Sequence, residues 1–350
     1  MSKNLIYNSL ISVLSIIITL SLLEIGLRFF ARNLVPLSVP SEVGHVYWKD
    51  FSTTRLDPES QRKITIETNK YGYRDRDWDF SDDRVRIMVI GDSFVDATQV
   101  EKHERFTELL QDRFAEADKS VEVLNFGMGG NGPERYLLVL KKWFPIVKPT
   151  IVVVTIYNGN DFDNINYAVR PDDGRVNYLL TTDNRIVRYS DNASNWQKAG
   201  WSIKLFLGKF YVFQFINDFW WKKLKTRSSM TTTPLYCDTN RLEAKDSYII
   251  MKQIVRDIRK IAGQRLVLLG IPERGQEKLT YANCDKNKPE NFFFKLAEEE
   301  HIPLVRALYD MVPDSSKYYY TGHLNTDGHK LIANLLFDKL VQTENSKSAF

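Results

Sequence analysis

Three apolar runs decide what this chain can fold into: "VRIMVI" from Val85, "VEVLNF" from Val121 and "TIVVVTIY" from Thr150. Each is short and mostly apolar; "VRIMVI" and "TIVVVTIY" are rich in β-branched residues and do not alternate, which is the pattern of a strand buried on both faces. Amphipathic stretches separate them, His103 to Ala117 and Glu134 to Phe144, with apolar residues at helical spacing. Strands alternating with helices require a parallel sheet covered on both sides. The pattern resumes with a helix over Leu242 to Ala262, the strand "RLVLLGI", a helix over Asn291 to Glu300, the short strand "IPLVRA" and a last helix over Asp327 to Val341. The expected fold is therefore α/β, a doubly wound parallel sheet. At 350 residues and 43% hydrophobic content, there is enough apolar material for one large core or two modest ones.

Ahead of this domain, Asn4 to Leu23 carries no charge and is dominated by Leu and Ile. As a helix it would rise roughly 30 Å, enough to span a bilayer core. A cleaved signal peptide or a buried core helix would share its composition. The bulky residues that follow, "LLEIGLRFFARN", do not suit a cleavage site and favour an uncleaved anchor. The chain then divides into an anchor (1–32), a linker and upstream segment (33–84) with a strand over Lys63 to Thr68, and the α/β domain (85–342). The domain is interrupted by a polar, turn-rich insertion at 163–240. Inside the insertion, "WSIKLFLGKFYVFQFINDFWWKKLK" sets Lys204, Lys209, Lys222, Lys223 and Lys225 among aromatic rings. It reads as a helix in the membrane interface, as an element packed on the main domain, or as a flap over substrate. Basic residues are scattered and the net charge is only +4, so there is no case for nucleic-acid binding. Cys237 and Cys284 lack zinc-site spacing, and either one disulfide or two buried thiols fits them. His45, His103, His301 and His329 stand outside any motif and read as surface or packing residues, so neither a metal nor another cofactor is expected.

In an open parallel sheet, sites form beyond the carboxyl ends of the strands. Here those ends read Gly91-Asp92-Ser93, "NFGMGGNG" and "NGND", and "TGHLNTDGH" precedes the last helix. In this order, the motifs "VIGDSF", "VEVLNFGMGGNG", "VVVTIYNGNDFDN" and "GHLNTDGHKLIANLL" resemble the SGNH, or GDSL, hydrolase superfamily from about Lys63 to the C-terminal helix. "TNKYGYRD" behind an anchor resembles the "N-x-x-G-[FY]-R" segment of membrane-anchored bacterial members. The resemblance implies a flavodoxin-like three-layer sandwich of SGNH hydrolase type behind an N-terminal transmembrane helix.

Acyl transfer needs a nucleophile, a base and donors for the oxygen that becomes negative. Ser93 is the candidate nucleophile, and its own N–H a candidate oxyanion donor. By the resemblance, Gly130 adds a backbone N–H, Asn160 a side-chain amide, and His323 is the base. Family members commonly place an aspartate two or three residues before this histidine, whereas Thr321 and Tyr320 stand there. That leaves Asp310, Asp314 or a backbone carbonyl to hold the imidazole. Asp92 and Asp161 read as structural carboxylates at strand-to-helix turns. The expected protein is a single-pass, membrane-anchored serine esterase, with its catalytic domain periplasmic or extracellular. It would act on O-acyl groups, O-acetyl above all, of a carbohydrate or other envelope substrate. An O-acyltransferase using the same site and a non-catalytic glycan-binding or assembly protein are the alternatives. Protein partners and oligomeric state are not legible.

Overall fold

A computed structural model describes residues 3–30, 35–117, 119–169, 178–181, 185–188, 193–224 and 233–345. The chain divides into two compact units, residues 42–194 with 231–350, and residues 1–41 with 195–230.

The larger unit holds the sheet: β1 (Val85–Gly91), β2 (Val121–Gly127), β3 (Ile151–Tyr157), β4 (Leu266–Ile271) and β5 (Leu304–Arg306). All its pairings are parallel, and the spatial order β5-β4-β3-β1-β2 is that of a flavodoxin-like doubly wound sheet. Alternating side chains point to opposite faces. Met88, Ile90, Leu124, Phe126, Val152 and Val154 therefore pack under α2 (Pro133–Val147), α3 (Leu242–Ala262) and α4 (Lys288–Glu300). Ile87, Val89, Val123, Val153 and Val267 face α1 (Phe106–Glu116) and α5 (Thr326–Asn345). The architecture is thus a three-layer α/β sandwich, and the continuous apolar strands are explained by burial on both faces.

The upstream segment builds a hairpin, Ser52–Leu56 against Lys63–Glu67, and then a tight turn at "TNKYGYRD". Asn69 Oδ1 accepts the N–H groups of Tyr71 and Tyr73, both at 3.0 Å. Gly72 sits at φ +84°, where a Cβ would lie 2.6 Å from the Tyr47 carbonyl oxygen, so both backbone twist and space call for glycine. Cys237 and Cys284 form a disulfide within this unit.

The second unit contains the N-terminal helix, Lys3–Phe30, and two shorter helices, Asn195–Leu207 and Tyr211–Leu224. Within residues 6–30 the most apolar 18-residue window has a mean hydropathy of 2.4 and none of it is buried, enough in length and composition to cross a membrane. Within the insertion, Asn195–Leu207 and Tyr211–Leu224 are helix, and this aromatic stretch belongs to the same compact unit as the N-terminal helix. Residues 170–177, 182–184, 189–192 and 225–232 of the insertion lie outside the described residues.

Candidate active site

The turn carrying Ser93 begins where β1 ends. Asp92, fully buried, caps a four-residue helix, Ser93–Asp96, by accepting the Phe94 N–H at 2.9 Å. This turn lies directly on the sheet, and glycines permit the approach. A Cβ on Gly127 would stand 2.2 Å from the Asp96 nitrogen, and one on Gly91 would stand 2.3 Å from a Val95 methyl carbon.

Several buried polar groups brace the same turn. The Asn125 side-chain amide donates to the Val95 carbonyl at 2.8 Å and to Thr107 Oγ1 at 3.0 Å, and its oxygen accepts the Gly127 N–H. Arg74, from the upstream segment, is 1% exposed and donates to the carbonyls of Asp96, Ala97, Val100 and Thr65. The arginine of "N-x-x-G-[FY]-R" thus works as a backbone clamp on the Ser93 turn. Asp96 in turn accepts the Tyr47 hydroxyl at 2.5 Å and the Gly129 N–H at 3.3 Å, tying the loop after β2 to the turn after β1.

His323 lies in the loop before α5. The Tyr320 N–H bonds to its carbonyl at 2.8 Å, and Asn325 Oδ1 caps the helix start by accepting the N–H groups of Asp327 and Gly328. Its Nε2 stands 2.9 Å from Ser93 Oγ. Its Nδ1 stands 2.7 Å from Oε1 of Glu59. The other carboxylate oxygen of Glu59 accepts the Gly322 N–H at 2.8 Å and the His323 N–H at 3.0 Å.

None of the groups expected to orient His323 does so. Asp314 instead pairs with Lys278 at 2.5 Å, which with the Ser316 hydroxyl pulls its carboxyl down to about 2. Asp310 is exposed on the turn Ala307–Met311. No backbone carbonyl takes the Nδ1 position, because a carboxylate already fills it. The acid arrives from the hairpin loop "LDPESQ", 264 residues away in sequence. Asp57 shapes that loop by accepting the N–H groups of Glu59 at 3.0 Å and Ser60 at 2.7 Å. Nothing local in the sequence marks Glu59, since Asp-Pro-Glu-Ser reads only as turn chemistry. The one available signal was negative, the lack of an acid just before His323.

The electrostatics follow from these contacts. Burial works to raise the Glu59 carboxyl, but the Gly322 N–H and the His323 ring and N–H outweigh it and hold the group below its ordinary value. An ionised carboxylate only accepts, so Nδ1 carries the proton and Nε2 presents its lone pair to the Ser93 hydroxyl. Asp92 behaves oppositely. Burial pushes its carboxyl up to about 6, against the Phe94 N–H, nearby His323 and the Asn160 amide. Asp161 is raised by burial and by the Asp92 charge, while it accepts the Tyr157 N–H at 2.8 Å and the Tyr136 hydroxyl at 3.2 Å. Asp161 thereby holds the turn on which Asn160 sits.

Gly130 occupies φ +80° in the loop after β2, with open space where a Cβ would be, so backbone twist is what calls for glycine there. Its carbonyl accepts Arg135 Nη1 at 2.7 Å. The neighbouring Gly129 lies against Ser93, a Cβ built on it being 3.8 Å from the Ser93 Cβ. Asn160 starts the turn Asp161–Asn164 beyond β3 and accepts the N–H groups of Asp163 and Asn164 through its carbonyl. Among the described residues, no group of three or more His, Cys, Asp or Glu side chains is placed to hold a metal. His329 is fully buried and pushed down to about 3, and it accepts the Phe106 N–H.

The sequence matches no protein-family model and no curated protein. Among solved structures it is similar to a lipase/acylhydrolase from Enterococcus faecalis, at 13% identity and a TM-score of 0.42, over 73% of this chain and 95% of that one. TesA is similar at 15% identity and 0.41, over 76% and 99% of the two chains. The acetyl xylan esterase AlAXEase is similar at 14% identity and 0.41, over 73% and 98%.

Proposed function

We propose that this chain is a membrane-anchored serine esterase of SGNH type, with Ser93 as nucleophile, His323 as general base and Glu59 as the acid that orients it. The observation that carries the reading is the continuous line from Ser93 Oγ to Nε2 at 2.9 Å and from Nδ1 to the Glu59 carboxylate at 2.7 Å. In the first step Oγ bonds to the ester carbonyl carbon while its proton passes to Nε2. The carbonyl oxygen becomes negative and is met by the N–H groups of Ser93 and Gly130 and the amide of Asn160. Collapse expels the alcohol, which takes the Nε2 proton and leaves an acyl-enzyme on Ser93. Water, activated by the same imidazole, then releases the acid. The Glu59 carboxylate stays ionised throughout and stabilises the imidazolium.

The substrate class proposed is an O-acyl group, acetyl foremost, on a carbohydrate or other envelope component. Support comes from the apolar N-terminal helix, and from the Cys237–Cys284 disulfide, which belongs to an oxidising compartment outside the cytoplasm. A sugar hydroxyl in place of water at the second step would make the same site an O-acyltransferase, and product analysis with an acceptor glycan separates the two. The Glu59 carboxylate on Nδ1 counts against a non-catalytic role, which the lack of an acid just before His323 would have favoured.

The test uses the full chain in detergent with a p-nitrophenyl acyl ester. We expect turnover that Ser93→Ala abolishes, along with labelling of Ser93 by a fluorophosphonate. Equal rates for the two proteins would sink the serine mechanism.

A further inference from the structure

The N-terminal helix exposes apolar side chains all round, Leu10 at 62%, Ile16 at 59% and Leu22 at 64% among them, a surface suited to lipid. The first charges after its apolar run are Glu24 and Arg28, and both hold the start of the Tyr211–Leu224 helix. Glu24 Oε2 accepts the Val212 N–H at 2.9 Å, and Arg28 Nη2 donates to the Lys209 carbonyl at 3.2 Å. Arg28 also lies 5.0 Å from the centre of the Tyr211 ring. The joint at 208–212 is therefore fixed where the apolar span ends, which is where a bilayer gives way to headgroups.

Both helices meeting at this joint show an apolar stripe. On Asn195–Leu207 it runs through Trp196, Ile203 and Phe206, 88%, 58% and 59% exposed, at spacings of seven and three that fall on one helical face. Phe210 at the joint packs edge-on against Phe206, its ring centre 5.6 Å away, and on the second helix Phe215 and Ile216 are also exposed, at 38% and 47%. Lys198 and Lys204 interrupt the aromatic residues of the first helix. Apolar rows of this size mark an interaction surface, and aromatic residues with lysines on a helix fit the headgroup boundary.

We propose that these two helices lie in the membrane interface beside the anchor, with Trp196, Ile203, Phe206, Phe210, Phe215 and Ile216 immersed at the acyl boundary. Lipid is the occupant because the stripe belongs to the same compact unit as a bilayer-spanning helix and is bonded to the charged end of that span. The inference rests on the anchor reading and is independent of the esterase chemistry.

The experiment reconstitutes the full chain in phosphatidylcholine–phosphatidylglycerol vesicles, with a single bimane label at Ile203→Cys and, separately, at Phe215→Cys. The native cysteines are joined to each other and take no label. Each label is expected to lose emission to a nitroxide-bearing lipid as fully as a label at Ile11→Cys in the anchor, and to be spared by aqueous iodide. Iodide quenching would place the stripe in water, and protection from both quenchers would place protein over it; either result overturns the proposal. A label at Ile11→Cys that the nitroxide lipid cannot reach would refute the anchor, and this proposal with it, without touching the serine chemistry.

Discussion

Two turns meet at His323, and they are built in opposite ways. The Ser93 turn is seated on the sheet and held from beneath by Asn125, Arg74 and Asp92, all at most 1% exposed. The Glu59 turn is the tip of a peripheral hairpin, shaped by Asp57 and by a Gln61 side-chain bond to the Pro58 carbonyl, and the Glu59 side chain remains 22% exposed. Ser93 and Glu59 are thus under different physical control. The first is placed by the core, so its supports should register as stability. The second is placed by a loop, so its loss should register as rate.

The sharpest break of that contrast is Glu59→Gln, which keeps the shape but removes the charge that fixes the Nδ1 tautomer. We expect turnover of an acyl ester to fall by about 10³–10⁴-fold with an unchanged melting temperature. A parallel fall in melting temperature would show that the hairpin is a stability element after all. Next, Asn160→Ala should cost about 10²–10³-fold in kcat, the effect of losing one oxyanion donor, with KM little changed in steady-state kinetics. Arg74→Met addresses the other side of the comparison. It removes the donor to three carbonyls at and beyond the Ser93 turn and to the Thr65 carbonyl of the hairpin, and urea unfolding should show a loss of about 3 kcal/mol or more.

Asp92→Asn is a smaller and pH-dependent change. The folded carboxyl titrates near 6, above its unfolded value, so the native state binds the extra proton between the two. Wild-type stability contributed by this group is therefore present at low pH and lost as pH rises through about 6. The asparagine can still accept the Phe94 N–H, so the variant should gain melting temperature relative to wild type from pH 5 to pH 8. An offset independent of pH would mean that Asp92 is not the titrating group. The smallest expected effect is that of Asp314→Asn, which should leave turnover unchanged, because this carboxylate serves Lys278 and Ser316 rather than His323.

Legibility in the sequence follows the same division. β1 to β4 were readable as apolar runs because burial on both faces leaves no alternative composition, and the carboxyl ends of such strands locate a site without further information. Ser93 and His323 could be singled out since each sits in a motif at a strand end or helix start. Glu59 could not. Its loop has only turn chemistry, and its partnership with His323 spans most of the chain. Arg74 was visible as part of a motif, yet its use as a clamp on four carbonyls was not. The aromatic stretch showed amphipathic character but left three placements open, and its grouping with the N-terminal helix comes from contacts at Glu24 and Arg28 that no periodicity records.

Local order, then, was written into the chain: which segments are strands, which are helices, and that a serine stands after the first long strand. Pairings between distant segments were decided only when the chain closed on itself. A strand declares itself through the residues it must bury, each judged against its own neighbours. A carboxylate that serves a histidine 264 residues away needs only to arrive at hydrogen-bond distance, and any loop of the right reach can deliver it.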